Sequence, residues 1–312
     1  MLGCQGHEVI TFDNLSKGYR NAVLSGEFHE GDLSDKQTLD NLFATIKFDG
    51  VMHFASFIEV GESVVEPAKY YQNNVCNTLN LLDAMVKHGV KYFIFSSTAA
   101  IFGEPEYSPI NEAHPKKPIN PYGRSKLMVE QVLEDYDTAY GLKSVALRYF
   151  NAAGADPDGE LGERHNPETH LIPLVLQAAS GRRESISVFG QDYDTPDGSC
   201  VRDYIHVNDL CDVHLLALSK LRSSNKSSCY NLGNGHGFSV KQVIDTAKTV
   251  TGQKIKVVYA NRRAGDPAEL VADATLVKRE LGWEPRFSEL EQIVETAWQW
   301  EKAFFIRKQH SH

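Results

Sequence analysis

Residues 92–97 read Tyr-Phe-Ile-Phe-Ser-Ser, a nearly continuous apolar run that becomes polar only at its end. Residues 50–55, Gly-Val-Met-His-Phe-Ala, form a second run of this kind, and residues 144–149, Ser-Val-Ala-Leu-Arg-Tyr, form a third. Such runs are typical of strands in a parallel sheet, because helices cover both faces of that sheet. The three runs therefore predict strands of one parallel sheet.

Helices are predicted between these strands. Pro67 suits the first turn of a long helix that continues to about His88, where Gly89 can end it. A second helix is predicted from about Pro121 to Tyr140. The alternation of apolar strands and helices predicts an α/β fold with a Rossmann-like doubly wound parallel sheet.

The chain before residue 50 continues this alternation. Residues 8–12 predict a strand that ends at Asp13, and residues 26–30 predict a weaker strand. Ser34 is followed three residues later by Gln37, a spacing that is typical of a capping box at the start of a helix.

A smaller second α/β domain is predicted where this rhythm changes, after Asn151. Long Gly- and Pro-containing loops there separate shorter predicted elements: helices near 171–180 and 288–304, and strands near 185–189 and 256–259. We place the first domain at residues 1–151 with residues 202–230 returning to it, and the second at residues 152–201 and 231–312.

The composition narrows the function classes. The chain carries 32 Lys and Arg against 41 Asp and Glu, a net charge of −9, which argues against partners such as nucleic acid or an anionic membrane surface. No apolar stretch approaches the ~18 residues of a membrane helix, and the first residues lack the pattern of a secretory signal. Five cysteines without a CxxC pair predict a reduced, cytoplasmic chain without a zinc or other metal site.

The sharpest chemical signal is the pair Tyr122 and Lys126, because residues four apart lie on one face of a helix. A tyrosine pKa of about 10 is too high for a base at neutral pH, and a neighbouring ammonium lowers it. Such a pair can take a proton from a sugar or alcohol hydroxyl. An ordinary surface pair is the alternative.

Polar residues end three of the predicted strands. Thr98 follows the run at 92–97, Asp13 ends the strand at 8–12, and Asp32 follows the strand at 26–30. Ligands of doubly wound sheets bind at the carboxyl ends of strands, where a carboxylate can accept the ribose hydroxyls of a dinucleotide. Each aspartate taken alone could instead be a turn or cap residue.

Nine motifs make the chain resemble the extended short-chain dehydrogenase/reductase family, and within it the branch of nucleotide-sugar epimerases. The last three belong to the nucleotide-sugar pocket of that branch, and together the motifs span nearly the whole chain. They are TFDNL (11–15), HFA (53–55), VGESV (60–64), YYQNNV (70–75), FSST (95–98), PYGRSK (121–126), RYFN (148–151), VRDYIH (201–206) and RRAGD (262–266).

The resemblance implies NAD as the cofactor and a UDP-hexose as the substrate. UDP-glucose and UDP-galactose would be interconverted by oxidation at C4, rotation of the 4-keto sugar and re-reduction. Tyr122 would be the catalytic base, Lys126 would lower its pKa and hold the nicotinamide ribose, and Thr98 would hydrogen-bond the sugar 4-oxygen. Besides Tyr122 and Lys126, the implied cofactor contacts are Asp13, Asn14, Asp32, Leu33, Phe54, Ala55, Asn73 and Phe150.

The resemblance also implies contacts to the UDP group. Besides Thr98 and Tyr122 at the sugar, these are Asn151, Arg202 and Arg263 at the diphosphate, Leu171 and Phe189 at the uridine, and Asp266 at its ribose. A homodimer through the helices predicted at 67–88 and 121–140 is implied as well.

The chain departs from the family pattern at its beginning. The family has a strand and a G-x-x-G-x-x-G turn before the strand that ends at Asp13, and about 18 residues of that pattern are not found here. The strands at 8–12 and 50–55 are therefore expected to lack their shared neighbour. An inactive truncated fragment is one alternative function for this reason.

Two further alternatives concern the substrate. Nucleotide-sugar dehydratases and decarboxylases of the superfamily carry an acidic residue just after the catalytic Ser or Thr, whereas Ala99 and Ala100 follow Thr98 here. Leu270 lies where bulk limits the group at sugar C2 in the family. A leucine is intermediate in size, so epimerisation of UDP-N-acetylglucosamine stays open.

Overall fold

The computed structural model describes residues 1–263 and 266–309. These residues form two compact units. The first contains Met1–Gly103, Pro115–Arg148 and Val213–Tyr230, and the second contains Glu104–His114, Tyr149–Asp212 and the described residues from Asn231 onward.

Strands and helices alternate along the chain. The strands are β1 (Ile10–Asp13), β2 (Glu27–Glu30), β3 (Val51–His53), β4 (Tyr92–Thr98), β5 (Lys143–Tyr149), β6 (Asn151–Ala153), β7 (Ile186–Phe189), β8 (Val201–Arg202), β9 (Tyr204–His206), β10 (Ser228–Leu232), β11 (Phe238–Ser239), β12 (Val257–Ala260) and β13 (Glu269–Leu270). The α-helices are α1 (Lys36–Thr45), α2 (Val60–Val65), α3 (Pro67–Tyr70), α4 (Asn77–Lys87), α5 (Pro121–Tyr140), α6 (Leu171–Ala179), α7 (Val207–Ser224), α8 (Val240–Thr251), α9 (Thr275–Leu281) and α10 (Leu290–Gln309).

The first unit contains the predicted parallel strands, and the α/β class is confirmed. β3 and β4 pair in parallel from Val51 opposite Phe93 to His53 opposite Phe95, within a sheet of order β10-β5-β4-β3. β1 pairs in parallel with β2 in a separate two-stranded sheet. Among the described residues β1 has no other strand partner and β3 pairs with β4 alone, so the ladder is split where the sequence predicts that a shared neighbour is absent.

The core of the first unit explains why the apolar runs become strands. Phe93 and Phe95 of β4 are fully buried and pack in one cluster with Leu39 of α1, Leu82 of α4 and Val129 of α5. Burying each such aromatic or aliphatic side chain stabilises the folded state by ~1.5–3 kcal/mol. This packing therefore holds the three helices on β4. The polar end of the strand, Ser96–Thr98, continues beyond this cluster.

Two predicted helix features are wrong in detail. The helix expected from Pro67 to His88 is interrupted, because residues Tyr71–Cys76 form a π-helical turn between α3 and α4. The capping residue of α1 is Asp35 rather than Ser34, since the Asp35 carboxylate accepts the backbone N–H groups of Gln37 and Thr38.

The second unit has three small sheets around its own core. Their orders are β11-β8-β13, β12-β7 and β6-β9. Helices α6, α8 and α10 pack on one another, with Val175, Ile244 and Ile293 fully or almost fully buried among them. Within the described part of the chain, no helix combines the length and the apolar character that a membrane span needs.

Candidate active site

Thr98 and Tyr122 meet at the end of β4 and the first turn of α5. The Thr98 side chain lies near enough to influence the Tyr122 hydroxyl, and Thr98 Oγ1 accepts the backbone N–H of Ala100 at 3.1 Å. Both residues are 9% exposed. Burial raises the pKa of Tyr122, and the neighbouring Thr98 side chain opposes that rise.

Lys126 lies one turn further along α5, as predicted, but its ammonium points elsewhere. Nζ donates to Ser56 Oγ and to the Ser96 carbonyl oxygen, both at 2.8 Å, and it lies 4.9 Å from the ring centroid of Phe95. Burial lowers the pKa of Lys126 to about 7. The predicted lowering of the Tyr122 pKa by the Lys126 charge stays a prediction.

The start of α5 is fixed by local sequence. The Asn120 side chain accepts the backbone N–H of Gly123 at 2.8 Å and caps the helix, while Pro121 occupies its first turn. A Cβ atom on Gly123 would lie 2.4 Å from the carbonyl oxygen of Ala100. Glycine is required here because the helix start packs directly on the turn that follows Thr98.

A buried ion pair holds α5 against the sheet. Arg148 of β5 donates from Nε and Nη2 to the two carboxylate oxygens of Glu130 at 2.9 and 2.8 Å. Ser97 Oγ donates to Glu130 Oε1 at 2.6 Å. Because Ser97 precedes Thr98 and Glu130 lies on the helix of Tyr122, this network fixes the two hydroxyl groups relative to each other.

The residues predicted for the adenosine end lie at the end of β1 or just after β1 and β2. Asn14 Nδ2 donates to Asp32 Oδ2 at 2.5 Å, so the structure brings these two together. Hydrogen bonds from Ser34 and then Asn14 lower the pKa of Asp32. Asp13 Oδ1 accepts the backbone N–H of Leu15 at 2.6 Å, whereas the carbonyl of Leu33 accepts from Asn80 at 3.0 Å.

Two more predicted cofactor residues follow β3. Phe54 and Ala55 are exposed, and the Phe54 ring is 58% exposed with its centroid 5.0 Å from that of His214. An exposed aromatic ring at the carboxyl end of a strand is available to a ligand.

The predicted residue Asn73 lies in the π-helical turn. Its Nδ2 donates to Oδ1 of the buried Asn74 at 3.0 Å. Asn74 in turn contacts the backbone of Phe57 at 2.9 and 3.0 Å and Ser125 Oγ of α5 at 3.2 Å. Single π-helical turns are frequent at functional sites, and this one links the loop after β3 to the helix of Tyr122.

In the second unit, Arg202 and Asp266 are ion-paired at 2.5 Å from Nη2 to Oδ1. Asn151 donates from Nδ2 to the Asp203 carbonyl oxygen at 2.9 Å. Asp203 is fully buried, and its carboxylate accepts backbone N–H groups of Asn234, Gly235 and Ala272 at 2.7–3.2 Å. Burial raises the pKa of Asp203 to about 6.

Arg263 and Phe189 are also brought together. The guanidinium carbon of Arg263 lies 3.8 Å from the ring centroid of Phe189 at the end of β7. Leu171 is the first residue of α6 and is partly buried against the core of the unit. The backbone of Phe150 donates to Leu232 at 3.3 Å. Ala264 and Gly265 of the predicted RRAGD motif lie outside the described residues.

Sequence reasoning missed the residues that support the hydroxyl pair. Ser56 and Glu130 lie in none of the nine motifs, and Ser97 and Arg148 lie in motifs to which no supporting role was assigned. The signal for Arg148 and Glu130 was a single charge inside an otherwise buried strand and a single carboxylate on the apolar face of a helix.

Comparisons with known proteins decide the family. Residues 1–233 match the NAD dependent epimerase/dehydratase family. The chain belongs to this family. It is 53% identical over 298 residues to the UDP-glucose 4-epimerase of Halalkalibacterium halodurans, an alignment that covers 96% of this chain and 89% of that protein.

Solved structures of NAD dependent epimerase/dehydratase members agree with this fold. The UDP-glucose 4-epimerase from Brucella ovis in complex with NAD has a TM-score of 0.93 at 48% identity, covering 95% of this chain and 91% of that one. The enzyme from Bifidobacterium longum in complex with NAD+ and UDP has a TM-score of 0.92 at 38% identity, covering 97% and 93%.

Proposed function

We propose that this protein is an NAD-dependent epimerase that interconverts UDP-glucose and UDP-galactose. The observation that carries the proposal is the buried hydroxyl pair of Thr98 and Tyr122 with Lys126 on the same helix. It occurs in a chain that is 53% identical to a UDP-glucose 4-epimerase over nearly its whole length. Ala99 and Ala100 provide no carboxylate beside Thr98, which disfavours a dehydratase.

Tyr122 takes the proton from the sugar 4-hydroxyl and later returns it. Thr98 hydrogen-bonds the same oxygen, because its side chain lies beside the Tyr122 hydroxyl. Burial opposes the Tyr122 phenolate. The protonated form of Lys126 favours the Tyr122 phenolate by its charge, so Tyr122 and Lys126 together provide a base that works near neutral pH.

NAD, when bound, supplies the hydride acceptor and donor for sugar C4. Asp13, Asn14, Asp32 and Leu33 would hold its adenosine, and Phe54, Ala55, Asn73, Phe150, Tyr122 and Lys126 would contact the remainder. Two observations support this fit: Asp13 and Asp32 present carboxylates after adjacent strands, and the Phe54 ring is exposed after β3. No G-x-x-G-x-x-G turn occurs among residues 1–263 and 266–309.

The second unit would bind the UDP group. Guanidinium groups suit a diphosphate because they donate two charge-assisted hydrogen bonds at once. Asn151, Arg202 and Arg263 would take this role, with Leu171 and Phe189 at the uridine and Asp266 at its ribose. We propose residues 1–151 and 202–230 as the cofactor-binding domain and residues 152–201 and 231–312 as the UDP-sugar domain, with Asn151 and Arg202 at the domain boundaries as the exceptions that contact the diphosphate.

We further propose a cytoplasmic homodimer. All five cysteines are free, as expected in a reducing compartment. Large apolar side chains are exposed on the helices of the first unit, at Val64, Val65, Met128 and Tyr140. Helices α2, α3 and α5 contact one another, so these side chains belong to one packed group of helices that a second copy could cover.

One assay tests the function. Purified protein is denatured and the released NAD is measured, while native protein is supplied with UDP-galactose and UDP-glucose formation is followed. The expected result is bound NAD and turnover in both directions. Bound NAD with turnover of UDP-N-acetylglucosamine alone would contradict the substrate, and neither NAD nor turnover would favour the inactive fragment.

A further inference from the structure

A compact cluster of metal-ligating side chains lies outside the residues assigned above. Glu163, His165, Glu168 and His170 precede α6 in the second unit. Each offers one oxygen or ring nitrogen, and these four atoms all lie within 4.8 Å of one another. Residues of this kind rarely converge unless they are ion-paired or share a ligand.

The spacing of the four atoms matches a tetrahedral metal site. His165 Nδ1 lies 3.0 Å from Glu163 Oε1 and 3.7 Å from Glu168 Oε1. His170 Nδ1 lies 3.6 Å from Glu168 Oε1 and also bonds Glu163. Metal–ligand bonds of about 2.0–2.1 Å place tetrahedral ligands roughly 3.3 Å apart. The three separations given lie close to this edge, and the shorter contact between His170 and Glu163 would lengthen when a metal binds.

The surrounding structure holds the ligands in place. Glu168 Oε1 accepts the backbone N–H groups of Thr169 and His170 at 2.8 and 2.9 Å. Trp300 Nε1 of α10 donates to the Glu163 carbonyl oxygen at 3.2 Å. Only 6% of the Glu168 side chain and 19% of the Glu163 side chain are exposed. Such outer contacts orient ligands before a metal binds.

Charge balance also permits a metal here. Two carboxylates and two protonated imidazoles sum to zero, and so do two carboxylates, two neutral imidazoles and one divalent cation. Metal binding would therefore exchange two protons for one ion without leaving an uncompensated charge. Two ring nitrogens with two carboxylates favour Zn²⁺ and similar transition metals over Mg²⁺ or Ca²⁺, which prefer oxygen ligands.

We propose that Glu163, His165, Glu168 and His170 form a structural site for a zinc-class divalent metal. The site would fix the loop that leads into α6, because His170 directly precedes the first residue of that helix. This inference does not depend on the epimerase activity, since metal binding is measured on the protein alone.

The test is a titration of chelator-treated full-length protein with Zn²⁺, followed by calorimetry, and with Co²⁺, followed by visible absorption. We expect one metal per chain, the absorption of a tetrahedral Co²⁺ site without sulfur ligands, and a higher Tm in the presence of Zn²⁺. His165→Ala is expected to weaken binding more than about 100-fold, since losing even an outer-shell partner costs about 10–100-fold.

His29→Ala is the matched control. His29 pairs with Glu27 at 3.0 Å, and its side chain is 34% exposed, like that of His165. This variant is expected to bind metal as the unchanged protein does. Glu168→Gln, which keeps the size of the side chain, serves as a second ligand variant if His165→Ala does not fold.

Three results would overturn the proposal. They are the absence of saturable binding, equal affinity in His165→Ala and the unchanged protein, and a Co²⁺ spectrum with thiolate charge-transfer bands. The last would assign the metal to the exposed cysteines Cys4, Cys76 or Cys211.

Discussion

The proposed acid/base residues of the first unit and the proposed UDP-binding residues of the second are held in opposite ways. Thr98, Tyr122 and Lys126 are at most 9% exposed and contact one another or buried neighbours. Arg263 is exposed, and Arg202 uses its charge on Asp266. The three buried residues are fixed by packing and hydrogen bonds within the first unit. The guanidinium groups of Arg202 and Arg263 can instead exchange a protein partner for a phosphate.

Removing the Tyr122 hydroxyl is expected to have the largest effect, a loss of turnover. Tyr122→Phe keeps the ring but removes the proposed base, so kcat for UDP-galactose should fall by about 10²–10⁴. UDP affinity should stay unchanged, because the proposed nucleotide contacts are other residues. Steady-state kinetics and UDP titration measure the two quantities. A variant with near-normal kcat would remove Tyr122 from its role.

Breaking the buried ion pair between Arg148 and Glu130 is expected to have the next largest effect. Arg148→Met leaves the Glu130 carboxylate buried without its bidentate partner, and such changes lower the free energy of unfolding by about 3–5 kcal/mol. Denaturant unfolding measures the loss. Arg222→Met is the control: its pair with Asp49 is exposed and 3.6 Å long, so about 0–1 kcal/mol is expected. Equal losses would contradict a special role of the buried pair.

Removing the Arg263 guanidinium tests its proposed contact with UDP. Arg263→Ala should weaken UDP binding by about 1.5–3 kcal/mol, as expected for a hydrogen bond to a charged group. The neighbouring Arg262 pairs with Asp192 at 2.8 Å and lies over Tyr193 at 4.1 Å. Arg262→Ala is therefore a matched control that should leave UDP affinity unchanged. Calorimetry that shows the same affinity in both variants would make Arg263 an ordinary surface residue.

The smallest effect, counted per pH unit, concerns the charge on Lys126. Its pKa in the folded protein is lowered to about 7 by burial, so between that pH and the pKa of the unfolded chain, about 10.4, the unfolded state binds more protons. The stability of the unchanged protein relative to Lys126→Met should therefore rise with pH across this window, by at most about 1.4 kcal/mol per pH unit. Unfolding of both proteins at several pH values gives this difference. A constant difference would show that the folded pKa is not lowered.

Local signals in the sequence accounted for α5 completely. The observed bounds Pro121–Tyr140 are those predicted, and the structure shows Asn120 capping the start and Gly141 ending the helix in left-handed backbone. The π-helical turn at Tyr71–Cys76 could not be predicted in this way. One extra residue per turn changes no local pattern, and Asn74 reaches partners at Phe57 and Ser125 that lie far away in sequence.

The candidate site shows the same division. Helical spacing placed Tyr122 and Lys126 on one helix, but the direction of the ammonium depends on Ser56 and Ser96, which approach only in the folded chain. The cluster of Glu163 and His165 was missed because it lies in an irregular Gly- and Pro-containing loop, and only cysteine spacings were considered as metal signals.

The separation of β1 and β2 from the larger sheet has a consequence for motion. A two-stranded ladder whose β1 residues are all only half-buried can open locally without disturbing β3, β4 and β5. Its backbone amides should thus exchange with solvent sooner than those of β4. Asp13 ends this ladder, so if the ladder opens as expected, a ligand held there would lose part of its binding free energy to ordering the strands that carry the contact.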